Sequence, residues 1–332
     1  MSDITQESAR DARIAEAVRA SAHAIEWPTL TLVLAVYFGW AAVTYFHAAM
    51  PLWLVSLVGA VLITAHSSLQ HEMLHGHPTR WRGLNRQLAS IPLSLWLPYE
   101  SYRISHLIHH VDDRLTDPLD DPESYYWSEQ GWRSLGPIGR ALVWAQSTLA
   151  GRMLIGPFWN IGRFLRDEAG KIWAGDRTTR RIWSAHLLHV APVLAWLVFV
   201  ADMNLAFYLF AIVYPGTAIL LIRSFAEHRA EANVIERTAI VEGSWLLGPL
   251  FLFNNLHAAH HALPTKPWYE LPAWYRANRE RLIAENDGLV YRTYFDVARR
   301  YLFTPHDRPS HPFGRAPSRL AAGEGTEPNH AA

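Results

Sequence analysis

PLWLVSLVGAVLITAHSSLQHEMLHGH, residues 51–77, begins as an apolar run and ends in a cluster of histidines. A membrane-crossing helix needs roughly 20 mostly apolar residues. Pro51 to about Gln70 supplies them and turns polar at His66. About one turn later comes His71-Glu-Met-Leu-His75. Helix positions four apart share a face, so both imidazoles point the same way. Neutral imidazole suits iron, zinc and copper. A metal-ligating pair at the mouth of a membrane span sets the frame for the rest of the chain.

Three further apolar runs complete the pattern, from Pro28 to about Phe46, from about Ala185 to Val200, and from Leu205 to Ile222. The links between partners, His47 to Met50 and Ala201 to Asn204, are so short that each pair reads as a helical hairpin. Pro192 and Pro215 are tolerable where neighbouring helices re-satisfy the freed backbone groups. The links hold no Arg or Lys. The opposite flanks carry Arg10, Arg13, Arg19, Arg80, Arg82, Arg86, Arg180, Arg181, Arg223 and Arg229. The positive-inside rule puts both termini and the long central segment in the cytosol. The expected fold is an all-α integral membrane protein, four transmembrane helices in two hairpins, with a cytosolic helical cap carrying the histidines. Within the central segment, Leu88–Leu97 and Ile138–Ile161 are shorter apolar stretches, the second read as an interfacial or re-entrant helix.

Residues 28–303 read as one membrane domain. Before it, residues 1–27 are charged and Ala-rich, lack a secretory signal's apolar core, and fit an amphipathic helix on the membrane surface. After it, residues 304–332 are rich in Pro, Gly, Ser and His and read as a disordered tail. Net charge is zero, so nothing points to nucleic acid. The absence of Cys excludes disulfides, thiolate zinc sites and Cys-held iron–sulfur clusters. Basic residues are nearly all Arg, Lys171 and Lys266 apart, which hints at a bacterial source and hence the inner membrane.

Four histidine groups stand out among 18 histidines: His71/His75, His106-Leu-Ile-His109-His110, the solitary His228, and His257-Ala-Ala-His260-His261. In an HxxHH box, positions i, i+3 and i+4 are expected to project three imidazoles from one helix face. Nine histidines exceed one metal's needs and fit two metals with four or five ligands each. By the span pattern, all four groups land on the same side of the membrane at similar depth. His228 alone would read as an ordinary histidine; its place after the fourth span puts it level with the boxes. His23, His47, His186, His189, His306, His311 and His330 read as ordinary surface or core residues. His66 and His77 are expected beside the ligands. Asp112, Asp113, Asp117, Asp120, Asp121, Glu72 and Glu227 lie close enough to receive a ligand's second N–H, or to cap helices or face solvent. Residues 71–75 also spell H-E-x-x-H, the zinc metalloprotease signature with Glu72 as general base. That reading leaves both HxxHH boxes unexplained.

The stretches LQHEMLHGH (69–77), SHLIHHVDDRLTDPLDDPE (105–123), RSFAEHR (223–229) and NNLHAAHHALPTKPWYELP (254–272) resemble the membrane fatty acid desaturases. The resemblance covers roughly Trp27 to Tyr275. Sterol desaturase-like and alkane hydroxylase proteins use similar boxes, but the full hairpin between His110 and His257 looks more like the fatty acid desaturase arrangement. It implies two non-haem irons bound by His71, His75, His106, His109, His110, His228, His257, His260 and His261. With O2 and two electrons these would remove hydrogen from an unactivated C–H bond of an acyl lipid or thioester. Hydroxylation or ketolation of a lipid, carotenoid or small metabolite is the alternative outcome. Some members carry Asn one turn before the solitary histidine, where this chain has Ser224. Without Cys, a dinucleotide fingerprint or a fused haem-binding motif, electrons are expected from a separate ferredoxin-type donor and its reductase. Trp268 and Tyr269 are expected to line the substrate channel or, more simply, to anchor at the membrane interface.

Overall fold

A computed structural model describes residues 25–111 and 115–313. The readings that fall on residues 1–24, on His23, Asp112, Asp113 and His330, and on 314–332 lie outside the described residues. In chain order the main helices are α1 (Trp27–Tyr45), α2 (Leu52–Leu74), α3 (Tyr99–His109), α4 (Gly156–Trp173), α5 (Arg177–Val200), α6 (Leu205–Glu227), α7 (His257–Ala262), α8 (Leu271–Glu285) and α9 (Tyr294–Tyr301). Of these α1, α2, α5 and α6 are long and apolar enough to cross a membrane. They form two pairs, joined by the single 3-10 turn His47–Ala49 and by residues 201–204. Phe38, Leu188, Phe199 and Phe210 stand exposed on their outer faces, as lipid-facing residues do.

The spans run further than hydropathy marks them. α2 continues through Leu74, α5 begins at Arg177, where Asp176 accepts the Thr178 N–H at 2.9 Å, and α6 continues to Glu227. Backbone i→i−4 bonds do not stop where side chains turn polar. The first histidine pair therefore rides on the end of α2, and His228 caps α6. Pro192 and Pro215 sit inside continuous helix beside π-turns at Trp196–Val200 and Tyr208–Val213. Such bulges absorb a missing hydrogen bond without ending the helix.

α2 and α6 are the central pair, and they touch backbone to side chain. A Cβ on Gly216 would lie 2.7 Å from Ile63 Cβ and 2.9 Å from the Ala60 carbonyl oxygen, so only glycine fits. Thr64 Oγ1 donates across this contact to the Gly216 carbonyl at 3.0 Å. Because the helices are locked here, their C-terminal ends emerge side by side. α1 and α5 pack outside them, with Trp40 Nε1 donating to Tyr208 Oη at 2.9 Å and Trp196 Nε1 to Thr44 Oγ1 at 2.9 Å.

All four histidine groups lie at the end away from the short links, within a helical cap. Its apolar stretch Ile138–Ile161 is not one re-entrant helix: it breaks into Pro137–Gln146, Leu149–Leu154 and the start of α4. Thr148 caps the second piece by accepting the Gly151 N–H at 3.1 Å, and Pro157 favours a fresh start for the third. A two-residue parallel pairing, Ile240–Val241 with Val290–Tyr291, ties the chain before α7 to that before α9.

The tail boundary at residue 304 also shifts. Residues 304–313 pack on the cap: His306 Nε2 lies 2.9 Å from Tyr291 Oη, Ser310 bridges to Trp127, and His311 Nε2 lies 3.2 Å from Thr116 Oγ1. Composition reads the segment as disordered, but the half-buried His306 and the buried His311 anchor it.

Candidate metal centre

Each histidine group is placed by a helix end. His71 and His75 occupy the last turn and the cap of α2; His106, His109 and His110 do the same for α3. His228 leaves α6 in extended backbone, φ −135° and ψ 145°, bridged to Thr238. His257, His260 and His261 lie on the six-residue α7.

The structure brings all nine together in two groups, His71, His75, His106, His110 and His260, and His109, His228, His257 and His261. In each group one nitrogen per residue lies within 4.8 Å of the others. The boxes do not project three imidazoles to one metal, as the shared helix face suggests; each box divides. His106 and His110, four apart, join one group while His109 joins the other, and α7 mirrors this with His257 and His261 against His260. Residues four apart converge; the residue three along is rotated enough to serve the neighbouring site.

Several inward nitrogens are very close. Nε2–Nε2 distances are 2.9 Å for His106–His110, 3.1 Å for His110–His260, 3.0 Å for His109–His228 and 2.9 Å for His228–His257. The Nε2 atoms of His75 and His261 are buried with no hydrogen-bond partner. The outward nitrogens explain the inward ones. His109 Nδ1 lies 2.9 Å from Asp121 Oδ1, His106 Nδ1 3.1 Å from Glu123 Oε1, and His257 Nδ1 3.0 Å from Asn254 Oδ1 and 3.3 Å from Glu227 Oε1. His228 Nδ1 faces the Arg237 carbonyl at 3.3 Å. A proton on each Nδ1 leaves Nε2 as a bare lone pair. Lone pairs facing at such distances repel unless a cation lies between them. Two nitrogens bound cis to one metal, each about 2.1 Å away, sit about 3.0 Å apart, so the donor set fits a pair of metal ions.

Electrostatics agree. Burial, and then neighbouring imidazoles, hold His75, His110, His228, His257, His260 and His261 well below the usual histidine range, so they are neutral donors. His109 is the exception. Burial pushes it down, but Glu123 and Asp121 outweigh burial and carry it up to about 9. In spite of its partial burial, Glu123 is held at about 2, chiefly by His106 and His109. This carboxylate pair favours a positive charge in the cage.

Of the carboxylates named from sequence, Asp121 and Glu227 reach cage histidines, while Asp117 caps the Leu119 and Asp120 N–H groups. Glu72 does not act on the cage. It accepts the Trp268 backbone N–H at 2.9 Å and faces His77 Nε2 at 3.7 Å; His77 Nδ1 lies 2.6 Å from Glu26. A metalloprotease base belongs at the metal, and here both histidines of the HExxH motif join a five-histidine group without it. His66 faces Tyr37 Oη at 3.3 Å, so neither His66 nor His77 hydrogen-bonds to the cage. His47 meets the Thr44 carbonyl and His186 the Leu95 carbonyl, as ordinary histidines do. The half-buried Trp268 donates its indole N–H to Thr29 Oγ1 at 3.1 Å and stacks its ring on Phe253.

Sequence reasoning missed Glu123 and Asn254. Asn254, 2% exposed, places its amide nitrogen 3.4 Å from His71 Nε2 and 3.3 Å from Glu227, while its oxygen meets His257. It thus touches both groups, and its position three residues before box three was the available signal. Ser224, by contrast, turns its hydroxyl back toward the Leu221 carbonyl at 3.4 Å. Arg223, counted above as a cytosolic flank, is buried and ion-paired with Glu227 at 2.9 Å, so it says nothing about orientation.

Fold and site together define a class: a four-span membrane protein with a paired histidine cage at one end. A family profile described as "Fatty acid desaturase" matches residues 48–295, about three-quarters of the chain. The chain belongs to the fatty acid desaturase family. A comparison with curated proteins finds none that matches. The domain and the clustered histidines make it an oxidoreductase of that family, with a cage that fits two irons.

Proposed function

We propose that this chain introduces a C=C bond into a fatty acyl chain, carried by a membrane lipid or a thioester, using O2 and two externally supplied electrons. The observation that carries this reading is the division of nine imidazoles into groups of five and four with inward lone pairs. His71, His75, His106, His110 and His260 would hold one iron, and His109, His228, His257 and His261 the other. Bound there, the irons supply the attack on an unactivated C–H bond, which side chains cannot perform. The chain's own part is positional: Asp121, Glu123, Glu227 and Asn254 fix the rings with Nε2 inward, and α2 and α6 bring the cage to the end of the membrane spans.

Electrons come from a separate donor, a ferredoxin-type protein with its reductase, since the chain has no cysteine for a cluster. We place the cage and both termini on the cytosolic side of a bacterial inner membrane. Arg80, Arg82, Arg86, Arg180 and Arg181 flank the cage end, whereas the two links hold no Arg or Lys.

The test is expression in a host with a simple lipid profile, with lipids compared by mass spectrometry between the wild type and His109→Ala. New acyl chains lighter by two hydrogens, absent in the variant, support desaturation. Products heavier by one oxygen would replace it with hydroxylation on the same scaffold.

A further inference from the structure

Beside the cage the cap encloses a positive charge that no carboxylate balances. Arg152, on the helix Leu149–Leu154, is 5% exposed, and among the described residues it forms no ion pair. Its Nε donates to the Gln146 carbonyl at 2.9 Å, and its guanidinium lies 3.6 Å from the centre of the Tyr125 ring. Nη1 is buried with no hydrogen-bond partner. Gln146, also buried, leaves its amide Nε2 without one.

The two side chains meet at one helix start. A Cβ on Gly156 would lie 2.7 Å from Leu221 Cδ1, 3.3 Å from Arg152 Cδ and 3.5 Å from Gln146 Oε1. Gly156 opens the 18-residue α4, whose N-cap Ile155 contributes no capping side chain. The positive end of a long helix is thereby added to a guanidinium and an amide.

A buried cation without a counter-charge and a buried donor without an acceptor are both strongly unfavourable. The Tyr125 face offsets part of the charge but satisfies no N–H on Nη1. The planar fork of arginine matches the paired oxygens of a carboxylate or phosphate. The location suits a substrate's polar end. Tyr125 follows Glu123, the partner of His106, by two residues, and the Arg152 guanidinium also lies 5.8 Å from the ring centre of Phe225, three residues before His228. Tyr125 is 37% exposed and the Glu123 side chain 30%, so this side of the cage is open.

We propose that Arg152 and Gln146, at the start of α4, bind an anionic oxygen group, carboxylate or phosphate, at the polar end of the lipid substrate. Only the word lipid rests on the function proposed above; the demand for an anion stands on the unpaired donors themselves.

The test uses the full chain in non-ionic detergent and three probes of one chain length: dodecanoate, dodecyl phosphate and 1-dodecanol. Binding is measured by titration calorimetry, without turnover, so failure here is separable from failure of the oxidoreductase reading. One or both anions should bind about tenfold or more tighter than the alcohol, and the tighter anion names the head group. Arg152→Met should abolish that preference while leaving alcohol affinity and metal content unchanged; Gln146→Leu should narrow it. If Arg152→Met fails to fold, Gln146→Leu alone decides between a narrowed and an unchanged preference. Equal affinity for all three probes, or equal weakening of all three in either variant, would overturn the site and leave Arg152 a packing residue.

Discussion

The Nε2 atoms of His109 and His228 lie 3.0 Å apart, although 119 residues separate them in sequence. One comes from the second box and the other from the end of a membrane span. Their contact shows that the solitary histidine completes the smaller group, and that the three residues of one box are not one ligand set.

Replacing a histidine should therefore empty one site before the other. His228→Ala removes a ligand from the group of four only, so purified protein should retain about half the wild-type iron. His66→Ala, which leaves every inward nitrogen in place, should retain all of it. Elemental analysis with Mössbauer spectroscopy checks both; complete loss of iron in His228→Ala would mean that the groups do not fill separately.

Asp121 and Glu123 should act on metal affinity without touching metal. Asp121→Asn or Glu123→Gln weakens the hold on Nδ1 of His109 or His106, and outer partners of this kind are worth about 10–100-fold in affinity. Competition against a chelator measures it. Because Asn254 contacts His71, His257 and Glu227, Asn254→Leu should lower the affinity of both sites.

The buried Arg223–Glu227 pair is expected to be a strong local constraint. Arg223→Met strands a carboxylate and should destabilise the fold by about 3–5 kcal/mol. Arg223→Met with Glu227→Leu should recover most of that loss. Thermal unfolding in detergent reports the difference; equal destabilisation by the single and double variants would show that the pair is not coupled.

The C-terminal segment should loosen in acid. Burial, then Arg229 and Arg152, lower His306 from 6.5 to about 3. The detached segment takes up a proton near 6.5 and the packed one only near 3, so packing is fully favoured above 6.5 and weakens as pH falls through that window. Opening of residues 300–313, read from hydrogen exchange corrected for the slower intrinsic exchange at lower pH, should rise between pH 7 and pH 5, and His306→Phe should flatten the rise. An identical rise in the variant would assign it to other groups.

Much of this was legible in the chain itself. Hydropathy finds the four spans because lipid-facing positions such as Phe38 and Phe199 must be apolar, and HxxHH spacing marks the boxes because helical geometry fixes it. The division of each box between two groups was not legible, since it depends on where α3 and α7 point relative to each other. Glu123 and Asn254 escaped for the same reason: their partners are set by the turn after α3 and the approach of α7 to α2. Arg223 misled because a charge at a span's end reads as a flank whether it faces water or Glu227. The segment 304–313 misled because composition cannot see that His306 and His311 have pockets waiting in the cap.

The central claim is that the cage holds two irons in a protein that oxidises lipid. Metal analysis of the full chain, purified without added metal and read by Mössbauer spectroscopy, tests it most directly. The account predicts about two irons per chain, matching the two donor groups, with a nitrogen-rich signature that disappears in a combined His109→Ala and His110→Ala variant. One zinc per chain with no iron would contradict it.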